Sequence, residues 1–197
     1  QDFLYPEPSM NVVFLDNHDM TRYFTETGKS LEVYKMGLTF IMTTRGIPQL
    51  YYGTEIVMDG DKSLGDGNLR QDFPGGWPGD KKSAFNRTGL SDMETETLDF
   101  TKLLLNWRKT KEVIHTGKLK HYIPYDGIYV YFRYNEDESV MVILNNNEKE
   151  SKTVSTERYQ ESLTGYTKGF EVITGKTMDD LDSIKIGPKT AMIIELK

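Results

Sequence analysis

The sequence has no cysteine, which excludes disulfides, thiolate metal sites and a cysteine nucleophile. The same absence suits cytoplasm and periplasm or secretion equally, so localisation is not read from it. No apolar run approaches the ~18 residues that a membrane span requires. Positive charge is in short supply: 24 Lys and Arg against 30 Asp and Glu give a net charge of −6. A nucleic-acid surface needs a basic face, and this balance argues against one. The 3 histidines, His18, His115 and His121, stand apart in sequence and give no metal-ligand spacing. Neither an internal repeat nor a low-complexity segment is present. What remains is a chain of 197 residues, 37% apolar and 12% aromatic, long enough for one or two packed domains.

The most informative stretch is Phe14-Leu15-Asp16-Asn17-His18-Asp19. Residues 11–15 form a short apolar run of the kind found in buried parallel strands, and four polar residues crowd at its C-terminal end. A carboxylate beside an imidazole there can bind vicinal hydroxyls, and Asp19 can hold negative charge near an oxocarbenium-like transition state. Taken alone, residues 16–19 also fit an ordinary turn, because Asn and Asp favour turns.

The following segments favour the first reading. From Ser30 or Lys29 onward, Leu31, Tyr34, Leu38, Ile41 and Met42 recur at helical spacing, with Glu32 in the first turn. Gly46 is placed for a helix stop, and Ile47-Pro48-Gln49-Leu50-Tyr51-Tyr52 reads as a second short strand ending at Gly53-Thr54-Glu55. Strand, helix and strand within some forty residues make a βαβ unit with parallel strands and a right-handed crossover.

F-L-D-N-H-D followed one helix later by G-I-P-Q-L-Y-Y-G-T-E resembles the end of the catalytic barrel in the α-amylase family of retaining glycoside hydrolases, most closely its neopullulanase and cyclomaltodextrinase branch. The resemblance implies the C-terminal part of a (β/α)8 barrel, expected over residues 1–115, and an antiparallel β-sandwich domain over residues 116–197. It implies that Asp19 is the family's transition-state-stabilising carboxylate, and that His18 binds hydroxyls of the same ring. Asn17 joins the substrate-binding candidates, although the first reading of Asn17 and Asp16 is that they shape the turn. Phe14 and Leu15 are expected in the barrel core, and Glu55 as an anchor of the next loop.

Residues 56–92 are too many for a simple connector. Asp66-Gly67-Asn68-Leu69-Arg70 resembles the family's D-P-x-x-R pattern, with Gly67 in place of the proline, which implies that Asp66 and Arg70 bind sugar. The alternative is an Arg70–Asp72 ion pair that braces the loop. Trp77 lies in a turn-rich segment; exposed, it would stack on a pyranose ring, and buried, it would pin the loop.

Retaining hydrolysis needs two carboxyl groups ~5–5.5 Å apart across the glycosidic bond. The segments that carry the family's nucleophile and general acid are not found in this sequence. The chain also opens at Gln1, in mid-barrel. It therefore reads as the C-terminal part of an α-glucan hydrolase of neopullulanase, cyclomaltodextrinase or α-amylase type, inactive alone. Its expected partners are an α-glucan and the N-terminal part of the barrel, with self-association through the exposed barrel face as a further expectation. No cofactor is evident; family calcium ligands commonly lie upstream, so calcium is not readable here.

A second helix is signalled by Asp92, Glu94 and Glu96, then Phe100, Leu103, Leu104 and Trp107 at helical spacing, with Trp107 a packing residue. After Gly117 the period turns to alternation. Ile128, Val130 and Phe132 alternate with Tyr129, Tyr131 and Arg133, and Val140, Val142 and Leu144 with Met141 and Ile143, around a polar turn at residues 135–138. Further strands are expected near residues 119–123, 170–173, 184–186 and 191–196. The tyrosines are strand packing residues or a sugar-binding surface, and the second option is the basis of an alternative function, a noncatalytic carbohydrate-binding or structural module.

Overall fold

A computed structural model describes residues 2–197. Strand β1 (Val12–Val13) pairs in parallel with β2 (Ile47–Pro48). Helices α1 (Tyr23–Glu26) and α2 (Leu31–Thr43) connect them. The expected βαβ unit is present, but its strands are shorter than the apolar runs. Beyond Val13 only the Gln49 N–H, donating to the Val13 carbonyl at 2.8 Å, continues the ladder. Among the described residues each strand has a partner on one side only, which leaves the run without a second ladder to hold it extended. For the same reason Phe14, expected in a core, is 44% exposed. Leu15 is half-buried against the main core. Among the described residues the parallel sheet has two strands and does not close into a barrel.

Ser30 caps α2 by accepting the Val33 N–H at 3.3 Å. The helix buries Tyr34, Leu38, Ile41 and Met42, four of the residues whose spacing signals it. Gly46 follows at φ +118°, where a Cβ would lie 2.7 Å from the Asn11 carbonyl oxygen; only glycine lets β2 come in beside β1. Residues 54–64 then make short 3₁₀ turns before α3 (Asp66–Leu69). Helix α4 (Asp92–Lys109) opens with a capping box: Ser91 accepts the Glu94 N–H, and Glu94 accepts the Ser91 N–H. Its Phe100 and Leu104 are buried, Leu103 and Trp107 half-buried against the same core. Short α5 (Glu112–His115) leads to the sheet.

The C-terminal part is antiparallel β structure, as expected. Strands β3 (Lys118–His121), β4 (Ile128–Tyr134) and β5 (Ser139–Asn145) are followed by β6 (Lys152–Ser155), α6 (Gln160–Leu163), β7 (Gly169–Glu171), β8 (Lys176–Met178), β9 (Ser183–Ile186) and β10 (Thr190–Leu196). Six of the strands form one sheet in the order β3-β4-β5-β10-β7-β8, and β6 pairs with β9 in a second sheet of two. Ile128, Val130, Phe132, Met141 and Ile143 meet Val154, Ile184 and Ile186 of the small sheet. On the opposite face Tyr131, Val140, Val142 and Ile193 meet Tyr34, Leu38, Ile41, Phe100 and Leu104 of α2 and α4. The central sheet is thus covered on both faces, and the alternation in β4 and β5 sorts residues between two cores rather than between core and water.

Polar contacts cross the helix–sheet junction as well. Buried Arg133 on β4 donates to the carbonyls of Thr43, Thr44 and Gly117 at 2.8–3.1 Å. Trp107 Nε1 donates to Glu195 of β10 at 2.7 Å. A cation at the C-terminal end of α2 suits the helix dipole. Burial and the neighbouring Arg108 push the Arg133 guanidinium down to about 10.

Candidate functional site

The turn after β1 is built by its own side chains. Asp16 is buried and accepts the Tyr23 N–H at 2.8 Å and the Thr54 hydroxyl at 3.5 Å. Burial pushes its carboxyl above the ordinary aspartate range. It holds the turn and offers nothing to solvent. Asn17 Oδ1 accepts the Asp19 N–H at 2.8 Å, which fixes the backbone under Asp19 and favours the turn-shaping option for Asn17.

With the backbone held, His18 and Asp19 face solvent. The Asp19 side chain is 60% exposed, with His18 Nε2 at 3.1 Å from Oδ2 and Arg70 Nη2 donating to Oδ1 at 3.0 Å. The same Nη2 donates to Asp66 Oδ2 at 3.0 Å, and Arg70 Nε to the His18 carbonyl at 3.2 Å. Lys62 completes the group by donating to Asp66 Oδ1 at 2.5 Å. The loop residues Asp66 and Arg70 therefore meet the β1 turn, though they lie 47 to 52 positions after it in sequence. Arg70 bonds to Asp19 and Asp66 in place of the Asp72 alternative.

Asp66 is held below the ordinary aspartate range, first by the Lys62 hydrogen bond and then by the Arg70 charge. A carboxyl kept ionised this way is unsuited to donate a proton. Asp16, though raised, is enclosed. Asp19 can accept sugar hydroxyls and face developing positive charge, and neither neighbouring aspartate is placed to act as its acid partner.

Trp77 is 63% exposed, in a turn where Asp80 Oδ2 accepts the Gly75 and Trp77 N–H groups at 2.9 and 3.1 Å. Its indole is exposed, the condition on which the stacking option depends. The sugar-binding option for the sheet tyrosines fares differently. Tyr131 is wholly buried and Tyr129 half-buried on the helix-facing side, while Tyr125 and Tyr134 are exposed, so β4 presents no aromatic platform on its helix-facing side; the noncatalytic module is not favoured.

Sequence reasoning passed over Arg22. It is fully buried and donates from Nε to the Leu69 carbonyl at 2.9 Å and from Nη1 to the Tyr52 carbonyl at 2.6 Å. Its guanidinium lies 3.9 Å from the Tyr51 ring centroid. An arginine three residues after Asp19 looks like a surface cation, and no local spacing signals its distant carbonyl partners.

Residues 119–195 match the family model described as the cyclo-malto-dextrinase C-terminal domain. Over 191 residues the chain is 26% identical to a cyclomaltodextrin glucanotransferase from Geobacillus stearothermophilus, covering 93% of this chain and 24% of that protein. It is 26% identical over 204 residues to alpha-amylase 3 of Dictyoglomus thermophilum, covering 94% of this chain and 38% of the other. An α-amylase structure from Geobacillus thermoleovorans, complexed with acarbose, superposes with a TM-score of 0.74 at 22% identity, over 98% of this chain and 40% of that one. The chain thus spans between about a quarter and two fifths of the length of these proteins.

Proposed function

We propose, on the premise that this chain resembles the α-amylase family of glycoside hydrolases along nearly its whole length, that it is the C-terminal part of an enzyme cleaving or transferring α-1,4-glucosidic bonds. Asp19 is the carboxylate that stabilises the oxocarbenium-like transition state, and His18 binds hydroxyls of the same ring. Arg70 and Asp66 bind sugar beside it, and the exposed Trp77 stacks on a pyranose. The observation that carries this reading is the solvent-facing Asp19 carboxylate, held from one side by Arg70 and from the other by His18 at the C-terminal end of a parallel strand. In a (β/α)8 barrel that end is where the chemistry collects.

In this reading β1, α2, β2 and α4 are the last elements of such a barrel, and the α-glucan site is finished by residues outside this chain. Two features support it. Val12, Phe14 and Ile47 are exposed on the short parallel pair. A cavity of about 620 Å³, lined by Leu50, Tyr51, Leu98 and Leu105 among others, opens beside it. Both are the apolar surface that further strands and helices would cover. Without a nucleophile and a general acid, the chain alone does not turn over glycosidic bonds.

The test has two arms. Asp19→Asn in the enzyme that contains this chain is expected to lower hydrolysis of maltoheptaose by about 100-fold or more, and the 197-residue chain alone to release no reducing sugar. Unchanged turnover in the variant would remove Asp19 from the mechanism. Turnover by the chain alone would mean that it carries a complete site.

A further inference from the structure

We propose that Arg22 is the positioning residue of this site, a buried clamp that sets the Asp19 turn, the Arg70 loop and the Tyr51–Tyr52 segment at their mutual distances. The inference rests on the proposed role of Asp19 and concerns a residue that touches no substrate.

Arg22 reaches three parts of the site. Through Nε it holds the carbonyl of Leu69, the residue before Arg70, and Leu69 itself is fully buried. Through Nη1 it holds the carbonyl of Tyr52. Its flat face lies on Tyr51, whose ring centroid is 6.5 Å from that of His18. Its backbone N–H donates to the Gly60 carbonyl at 2.9 Å, so the same residue also fixes the start of the loop. A Cβ on Gly60 would lie 2.5 Å from the Asn68 carbonyl oxygen and 3.2 Å from Arg22 Cγ. The loop is therefore closed against the arginine with no room for a side chain. Arg70, which grips Asp19, is one residue from the carbonyl that Arg22 holds, and Asp19 is three residues before Arg22.

The chemistry requires an arginine. A planar guanidinium can donate in two directions while its face packs on an aromatic ring; an ammonium cannot do both. Arg22 Nη2 has no hydrogen-bond partner among the described residues. Misplacement of reacting groups by about 1 Å through a distant substitution can cost about 100-fold in rate.

The experiment compares Arg22→Met, Arg22→Lys, Asp19→Asn and Arg133→Met in the enzyme that contains this chain, with kcat and KM for maltoheptaose measured well below the unfolding temperature of each variant. Arg133→Met is the control for lost buried hydrogen bonds away from the site. Expected are a fall in kcat of about 100-fold for Arg22→Met, partial recovery in Arg22→Lys, and kcat near wild type in Arg133→Met. If Arg22→Met does not fold, Arg22→Lys decides, and a fall of about tenfold or more in its kcat supports the clamp. The inference is overturned if the Arg22 variants lose only stability and keep kcat and KM within about twofold of Arg133→Met. If Asp19→Asn keeps wild-type turnover, the reading of the site fails first and takes the clamp with it.

Discussion

The six-stranded sheet and the turn that carries Asp19 are organised by different forces. In the sheet, β4 and β5 pair over seven residues each, and most of their side chains enter one of two apolar cores. In the turn, Asp16, Asn17, Arg22 and Arg70 reach backbone and carboxylate partners through directed hydrogen bonds, and the groups that matter face water. Apolar burial is strong but indifferent to angle; hydrogen bonds are modest in net energy but strict in geometry. One region therefore supplies stability and the other precision, and substitutions in the two should separate by what they damage.

The largest stability loss is expected from Phe132→Ala, which empties a wholly buried site between the two sheets. It should cost about 3–5 kcal/mol in urea unfolding. A loss below about 1 kcal/mol would mean the sheet is not anchored there. Arg133→Met tests whether polar contacts also carry weight in that region. It orphans the carbonyls of Thr43, Thr44 and Gly117 and is expected to cost about 3 kcal/mol. Ser91→Ala removes half of the α4 capping box, worth about 1 kcal/mol in the same measurement.

Asp16 gives a signature in pH instead of a midpoint. Because burial raises its folded-state carboxyl pKa, the folded protein favours the neutral acid more than the unfolded chain does. The stability linked to that proton is complete below the ordinary aspartate range and is lost as pH rises through the raised value. Asp16→Asn should flatten this part of the stability–pH curve; an unchanged curve would show that another group titrates there. Smallest of all, Asp19→Asn is expected to leave the unfolding midpoint in place, because its ion pair with Arg70 and its contact with His18 are exposed. A large shift would break the division between stability and precision.

The sequence revealed these regions unevenly, for the same physical reason. Strands β4 and β5 and helices α2 and α4 are legible because their apolar residues repeat with a local period. Strands β6 and β8 pass unnoticed: Lys152-Thr153-Val154-Ser155 carries one buried apolar residue and Lys176-Thr177-Met178 one half-buried methionine, too little for a period to register. At the site, the Phe14–Asp19 motif is legible, and the loop around Arg70 shows a resemblance to a sugar-binding pattern but gives no sign of the bond from Arg70 to Asp19. Arg22 is not legible, because its partners lie 47 and 30 residues away and only the fold brings them to it. Phe14 shows the converse case: an apolar run predicts burial, but burial needs a covering surface, and among the described residues none covers Phe14.

The buried arginine of β4 also bears on how such a chain can be divided or recombined. Its guanidinium takes its partners from the end of α2 and from Gly117, while Trp107 and Lys111 both reach Glu195 on the last strand. A cut between helices and sheet would leave a cation, an indole and several carbonyls without their counterparts on one side or the other. The change of sequence period near Gly117 thus marks a change of architecture that these polar contacts cross. A graft of this sheet onto another protein would have to bring α2 and α4 with it, or supply their donors and acceptors anew.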